Sequence, residues 1–306
     1  MIKSNLTNLK QESKGIKEDG VKVKSLKTKK TTKTVLNNGA RINLTNEKYD
    51  KKKAVLLIGG IDPTSGAGLV RDAMMVQKAG CHPLCVPTCF TVQNNSEYRT
   101  TQGISFESFE VSLSLILKEI ANIGAIKIGM VPRLEYAKVI AKFVKQTGLK
   151  TIVDMPLISS TGAFLSDIDN INEICELLLH ECYLYTPNII ETDMLFGAES
   201  IIENGVQNLL IKGGHDSNPE WVDDTLMTLE DRDGDNCKYA KVKLRSARID
   251  TGGMDVRGTG CALASGIAAY IAKGFDLKQS ILKAKGLLLT SLKKSYYLGG
   301  GAKFLG

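Results

Sequence analysis

The tetrad Gly258-Thr259-Gly260-Cys261 runs directly into a series of small apolar residues, which is typical of a closely packed helix. A helix that opens this way leaves backbone N–H groups unpaired, and its dipole adds partial positive charge at the same end. Such an N-terminus binds anions, and it favours the thiolate form of Cys261 in the first turn. An anion hole beside a base suits phosphoryl transfer. The alternative is a tight helix start that carries a buried packing cysteine.

A second glycine-rich stretch, Gly59-Gly60-Ile61-Asp62-Pro63-Thr64-Ser65-Gly66-Ala67-Gly68, follows the apolar run 54–58. A short leucine and β-branched run that ends in paired glycines predicts a buried parallel strand entering a loop. Gly66 and Gly68 permit close approach of the backbone to a ligand, and residues 69–79 have helical spacing. The glycine spacing is not that of a dinucleotide-binding loop, and no Walker-type Gly-Lys-Ser/Thr occurs. The sequence therefore excludes the Rossmann and P-loop classes.

Five shorter motifs accompany these two stretches in chain order. They are Thr91-Val92-Gln93-Asn94, Lys127-Ile128-Gly129-Met130, Val153-Asp154 with Ser160-Thr161-Gly162, Thr186-Pro187-Asn188 with Glu191, and Lys212-Gly213-Gly214-His215. Together the seven motifs, from about residue 55 to about residue 295, resemble the hydroxymethylpyrimidine and phosphomethylpyrimidine kinases of thiamine biosynthesis. That family lies within the ribokinase-like superfamily. The resemblance implies a kinase that uses ATP and Mg²⁺, with a small pyrimidine as its other ligand, and it leaves a homodimer open.

The resemblance assigns the transfer chemistry to particular residues. Cys261 is the candidate base, while Gly258, Thr259 and Gly260 would offer donors to the phosphoryl group. Asn188 and Lys212 would bind the nucleotide phosphates. Asp154 and Glu191 would hold the metal ion. Alternatives remain for each: a solvated lysine at Lys212, and helix-capping carboxylates at Asp154 and Glu191.

The substrate pocket implied by the resemblance draws on the first glycine-rich loop and its neighbours. Its residues are Gly60, Asp62, Ala67, Asp72, Gln93 and Met130. Met130 has a plain core position as its alternative, and His215 has no partner in a triad pattern and is assigned to a loop.

Charge and cysteine content limit the remaining possibilities. Residues 1–53 hold 15 Lys or Arg against 5 Asp or Glu, whereas the rest of the chain carries a net charge of −3. We therefore expect a basic, disordered extension at 1–53 and one kinase domain at 54–306. Seven cysteines without zinc spacing indicate reduced thiols in a cytoplasmic protein. We expect neither a membrane span nor nucleic-acid binding.

The elements that would position these residues alternate regularly. Strands are predicted at 54–58, 84–90, 126–129, 151–154, 183–186 and 208–212, with helices near 68–79, 106–122, 133–148, 170–181 and 198–205. This order predicts an α/β fold, ribokinase-like, with a mostly parallel sheet and helices on both faces. A hairpin at 225–229 and 239–245 would form an antiparallel edge, and helices at 259–273 and 277–296 would follow. The glycine-rich end, 299–301, is predicted to be a flexible terminus.

Several positions depart from the family pattern. Arg257 replaces the usual histidine before the tetrad, where it would add charge near the nucleotide or lie exposed. The stretch 251–256 is longer than usual, Met155-Pro156-Leu157 alters a pocket wall, and the C-terminus lacks the usual ending. These departures keep two alternatives open: a pyridoxal-type kinase and a non-catalytic pyrimidine-binding relative.

Overall fold

The computed structural model describes residues 33–37, 40–44, 52–119, 122–158, 165, 167–195, 197–203, 205–214, 218–233 and 236–306. Its contacts divide the chain into two compact units, 1–50 and 51–306. In the first unit, β1 (Lys33–Asn37) pairs antiparallel with β2 (Ala40–Leu44). These two strands differ from the disorder predicted there. The rest of the predicted extension, and with it the domain boundary at 53, stays a prediction.

A nine-stranded sheet forms the centre of the second unit. Its strands are β3 (Ala54–Ile61), β4 (His82–Gln93), β5 (Tyr98–Gly103), β6 (Ile123–Ile128), β7 (Thr151–Val153), β8 (Leu184–Tyr185), β9 (Asn208–Ile211), β10 (Trp221–Asp233) and β11 (Asn236–Ala247). Their spatial order is β11-β10-β9-β8-β7-β6-β3-β4-β5. The run from β9 to β4 is parallel, and the strands outside it are antiparallel. The predicted hairpin is therefore present as β10 and β11, at one edge.

Helices cover both faces of this sheet. They are α1 (Gly68–Lys78), α2 (Phe106–Glu119), α3 (Leu134–Thr147), α4 (Ile171–His180), α5 (Ile189–Met194), α6 (Ala198–Glu203), α7 (Thr259–Ala272) and α8 (Leu277–Lys293). Alternate residues of β3 enter two separate cores: Leu56 and Ile58 pack on the α3 and α4 side. Val55 and Leu57 pack on the α1 and α7 side. This period of two, with both faces apolar, is why the strand has a continuous hydrophobic sequence.

Strand β5 and helix α5 of the second unit were not expected from the sequence. Strand β5 is polar and none of its residues is fully buried, so its sequence lacks the apolar alternation that marks a strand. It forms because β4 offers a free edge for pairing. Helix α5 has six residues, too few for a periodic pattern. Among the described residues no helix is long and apolar enough to cross a membrane.

The C-terminus is a correction to the prediction of a flexible end. Strand β12 (Val256–Arg257) pairs in parallel with β13 (Lys303–Phe304) in a small separate sheet. Phe304 and Leu305 are buried, and the Nη1 of Arg71 donates to the carbonyl oxygen of Leu305 at 3.0 Å. The glycines at 299–301 therefore lead into an anchored segment, because the apolar residues that follow them have a core to enter.

Candidate active site

The N-terminus of α7 meets the loop that follows β3. Gly258, the residue that precedes the helix, has a φ of 74°, and a Cβ placed on it would lie 2.1 Å from the carbonyl oxygen of Gly66. Only glycine fits there, on both conformation and space. No side chain caps the helix, so the amides of its first turn stay available for an anion.

Cys261 lies in the first turn of α7, half-buried. Burial raises the pKa of its thiol to about 12; the nearby Lys127 ammonium and a hydrogen bond from the Gly68 amide oppose this rise only in part. Burial therefore favours the neutral thiol, whereas the helix N-terminus alone predicts a thiolate. Desolvation is the largest cause of the raised pKa, and two carboxylates, Asp154 and Asp72, add to it.

Beneath this helix start lies a chain of four alternating charges. Asp72 Oδ2 lies 2.9 Å from Lys127 Nζ, which is 3.7 Å from Asp154 Oδ2. Lys212 Nζ lies 2.7 Å from Asp154 Oδ1. Two hydroxyls complete the set: Ser265 donates to Asp72 at 2.6 Å, and Thr186 donates to Asp154 at 3.0 Å. The buried charges therefore balance.

Asp154, Lys127 and Lys212 have pKa values that are shifted toward their charged forms. Burial alone would raise the pKa of Asp154, but Lys212 and Lys127 outweigh it and lower that pKa. Burial likewise opposes charge on Lys127, yet Asp72, Cys261 and Asp154 raise its pKa. Lys212 follows the same rule, with its pKa raised mainly by Asp154 against burial. Both lysines are thus cations at neutral pH.

Lys212 connects these charges to the helix start. A Cβ placed on Gly260 would lie 3.0 Å from the Lys212 ammonium, so this cation sits against the first turn of α7. Its side chain retains 16% exposure, in contrast to 1% for Lys127. Lys212 can therefore meet a ligand, whereas Lys127 acts only within the protein. The open alternative of a plain solvated lysine does not fit this position.

Asn188 and Glu191 form a reciprocal cap at the start of α5. Asn188 Oδ1 accepts from the Glu191 amide, and Glu191 Oε2 accepts from the Asn188 amide, both at 2.8 Å. Burial raises the pKa of Glu191, with Lys212 opposing the rise. The capping alternative is therefore real at Glu191, while Asp154 caps no helix and binds the two lysines.

The carboxylates of Asp154 and Glu191 suit a magnesium ion that keeps most of its waters. Among the described residues no three His, Cys, Asp or Glu side chains form a metal-binding group. Asp154 already contacts two ammonium groups, and Glu191 uses one oxygen in its cap. Carboxylates engaged in this way fit a Mg²⁺ ion that keeps several waters and takes its other ligands from phosphates.

The loop after β3 is organised around Asp62. Its carboxylate accepts from the amide and hydroxyl of Thr64, at 2.9 and 2.8 Å, and from the amide of Ala67 at 3.1 Å. Gly60 lies under this loop, where a Cβ would be 3.2 Å from the Sδ of Met130. The loop therefore brings Gly60, Asp62, Ala67 and Met130 into one region of the structure.

Gln93 ends β4 beside that loop. Its Nε2 donates to the Thr91 hydroxyl at 2.9 Å, and its Oε1 accepts from Arg257 Nη2 at 3.2 Å. Asp72, in contrast, has 1% exposure and binds Lys127 and Ser265 instead of facing a pocket. Its assignment as a substrate-binding residue is corrected, because the buried lysine needs a carboxylate partner.

Some predictions fall on undescribed residues, and some site residues went unpredicted. Ser160, Thr161, Gly162 and His215 lie outside the described residues. Lys127 was quoted in a motif without a role, although a lysine in an apolar strand signals a buried partner. Thr186 likewise stands in a quoted motif without a role, and Ser265 lies in the middle of α7 without a local signal.

Known proteins match this chain over most of its length. The sequence profile of the family described as phosphomethylpyrimidine kinase matches residues 62–305. A hydroxymethylpyrimidine/phosphomethylpyrimidine kinase from Rhizobium meliloti (strain 1021) is 30% identical over 246 residues, which are 76% of this chain and 88% of the relative. The protein of the same name from Haemophilus influenzae (strain ATCC 51907 / DSM 11121 / KW20 / Rd) is 27% identical, over 81% of this chain and 94% of its own.

Solved structures are similar in fold. The pyridoxal kinase from Staphylococcus aureus in complex with AMP-PCP has a TM-score of 0.71 at 22% identity, covering 83% of this chain and 93% of that one. The phosphomethylpyrimidine kinase from Clostridium difficile 630 has a TM-score of 0.64 at 23% identity, covering 79% and 100%. The predicted ribokinase-like fold class and the family resemblance are confirmed. This chain belongs to the phosphomethylpyrimidine kinase family.

Proposed function

We propose that this kinase transfers the γ-phosphoryl group of ATP to 4-amino-5-hydroxymethyl-2-methylpyrimidine, and then phosphorylates the resulting monophosphate, in thiamine biosynthesis. The observation that carries the proposal is the uncapped start of α7, with the Lys212 ammonium and the Cys261 thiol against its first turn. Relatives that span most of the chain carry the matching name.

Stabilisation of charge is the main contribution of the protein to the transfer. In a loose transition state negative charge spreads over the oxygens of the moving phosphoryl group. The amides of Gly258, Thr259 and Gly260, with the Thr259 hydroxyl, would donate to those oxygens. Lys212 would neutralise the nucleotide phosphates, while Lys127 stays 3.7 Å from Asp154 and shares its charge between that carboxylate and Asp72. Removing a preorganised donor of this kind costs about 10²–10³ in rate.

Proton removal is assigned to Cys261. Its sulfur would take the proton of the substrate hydroxyl as that oxygen bonds to phosphorus and the bond to ADP breaks. Because burial raises the thiol pKa to about 12, only the small ionised fraction can accept this proton. The Cys261 thiolate is a strong base, but only a small fraction of the thiol is ionised. This fits a transition state in which positioning contributes more than proton transfer.

Magnesium would supply further charge neutralisation at the phosphates when it is bound. We assign Glu191 and Asp154 to hold the ion through its waters, with Asn188 fixing Glu191 in its cap. The support for this assignment is that both carboxylates lie near Lys212, since Asp154 and Glu191 each raise the pKa of that lysine.

The pyrimidine is assigned to the region formed by Gly60, Asp62, Ala67, Gln93 and Met130. Each end of the Gln93 amide keeps capacity for one more hydrogen bond, since Nε2 has a second hydrogen and Oε1 a second lone pair. An aminopyrimidine edge, with a ring nitrogen beside an amino group, matches both ends at once.

The experiment that tests the proposal is phosphorus NMR of a reaction with ATP, Mg²⁺ and the pyrimidine alcohol. We expect a phosphomonoester first and a diphosphate second, each formed with one ADP. A pyridoxal-type kinase, the alternative open from the sequence, would yield a product only from pyridoxal. A non-catalytic relative would yield none from either alcohol.

We also propose that the reaction takes place in the cytoplasm. All seven cysteines are free thiols, which fits a reducing compartment that supplies ATP. The homodimer left open by the family resemblance stays a prediction.

A further inference from the structure

Arg257 contacts residues that are predicted to line the substrate pocket. Its Nη2 donates to Asp62 Oδ2 at 3.1 Å and to Gln93 Oε1 at 3.2 Å, and its Nη1 donates to the carbonyl oxygen of Asn94 at 2.9 Å. Only 8% of the side chain is exposed. Of the two expectations from the sequence, an exposed arginine does not describe this position, and added charge near the nucleotide stays a prediction.

The backbone of Arg257 is held from two directions. It directly precedes Gly258 at the start of α7, and it pairs with Phe304 in the parallel β12–β13 sheet. The Phe304 ring also lies against the loop after β3, because a Cβ placed on Gly66 would be 3.0 Å from Cε1 of Phe304. The guanidinium therefore projects from a fixed point into the predicted pyrimidine region.

The chemistry of a guanidinium makes this contact directional. It carries donors only, so the end of the Gln93 amide that faces it must be the oxygen. The Thr91 hydroxyl receives the Nε2 end, so the amide cannot exchange its two ends without losing both bonds. An amide of fixed orientation distinguishes a donor from an acceptor on a ligand, whereas one that rotates freely accommodates either.

We propose that Arg257 is a specificity-determining residue of this kinase, which positions Gln93 and Asp62 for an aminopyrimidine and takes no part in phosphoryl transfer itself. The inference rests on the proposed function. Lysine cannot replace it, because one ammonium on a flexible stem does not bind the three acceptors together in one plane.

The test is steady-state kinetics of the full chain and of Arg257→Lys and Arg257→Met, with hydroxymethylpyrimidine and with pyridoxal. We expect KM for the pyrimidine to rise about 10-fold in both variants, with kcat and KM for ATP within about 2-fold. The ratio of kcat/KM for pyrimidine over pyridoxal falls by a similar factor. In a Gln93→Leu background, Arg257→Met should change this ratio little, because the group it orients is gone.

Arg245→Met is the matched control. Arg245 also binds a carboxylate through two nitrogens, Asp223 at 2.8 and 2.7 Å, but on strand β11 at the far edge of the sheet. It should leave every kinetic constant unchanged. Melting temperatures of all variants identify any that fail to fold, and Arg257→Lys, which keeps the charge and stem, then carries the test.

Two outcomes separate this inference from the proposed function. A wild-type chain that phosphorylates pyrimidine, with Arg257 variants that keep its KM and selectivity or that lose kcat alone, overturns the inference and leaves the function standing. A wild-type chain that phosphorylates no pyrimidine overturns both.

Discussion

The Nζ of Lys212 lies 2.7 Å from the Oδ1 of Asp154 and against the first turn of α7, so one cation joins a buried carboxylate to an anion-binding helix start. The carboxylate keeps a second cation, Lys127, when Lys212 turns toward a ligand. Lys127 then lies between two carboxylates, Asp154 and Asp72, as their shared cation. We therefore expect Lys212 to contact phosphate while it stays close to Asp154.

Replacement of Lys212 by methionine should lower kcat/KM by about 10²–10³-fold, because the charge on the transferred phosphoryl group loses its fixed cation. Initial rates at saturating pyrimidine and varied ATP measure this. Lys241→Met is the matched control, since Lys241 pairs with Glu199 at 3.0 Å on the exposed edge strand. Equal rates in the two variants would contradict the role given to Lys212.

Replacement of Cys261 by alanine should lower kcat by about 10²-fold or more, with KM for ATP nearly unchanged, as expected for a positioned base. The pH profile adds an independent readout. Burial raises the pKa of the thiol to about 12, so at lower pH the thiolate fraction increases about tenfold with each unit of pH increase. Wild-type kcat should therefore rise from pH 7 to pH 9. The alanine variant should lose this rise. A flat wild-type profile would show that Cys261 acts without ionising.

Replacement of Glu191 by glutamine should raise the Mg²⁺ concentration that gives half-maximal rate, because an amide holds the waters of the ion more weakly than a carboxylate. Glutamine can still accept from the Asn188 amide, so the cap of α5 persists and the melting temperature should change little. An unchanged magnesium titration would restrict Glu191 to capping.

Deletion of residues 1–50 should change neither the melting temperature nor kcat. The motifs of the site all lie in the unit 51–306. Thermal unfolding and kinetics of the shortened chain measure the effect. A large fall in melting temperature would mean that this segment stabilises the kinase domain or an oligomer.

Local sequence signals were sufficient for the scaffold and for the α7 end of the site. The apolar run before Gly59 and the small residues after Gly258 each define an element and its ligand-binding end within a dozen residues. Such features depend on spacing along the chain, and the sheet order follows from regular alternation of strand and helix.

Contacts between distant residues could not be predicted in the same way. Arg257 and Asp62 are 195 positions apart, and nothing local to either indicates the other. The thiol pKa of Cys261 depends on burial by several elements, which the helix position alone does not reveal. The C-terminal segment was misjudged because its three glycines precede two apolar residues whose binding region becomes visible only in the fold.

The central claim, that this site phosphorylates an aminopyrimidine alcohol, is tested most directly by comparing kcat/KM for hydroxymethylpyrimidine and pyridoxal in the wild-type chain and in Gln93→Leu. Pyridoxal has no amino group beside its ring nitrogen, so it leaves the remaining hydrogen-bonding position at one end of the Gln93 amide unfilled. A polar position left without its partner in a dry pocket costs about 1–3 kcal/mol, or roughly 5- to 150-fold in selectivity. We expect the pyrimidine to be preferred by a factor in that range and the leucine variant to narrow the gap. A wild-type chain that prefers pyridoxal would contradict the account.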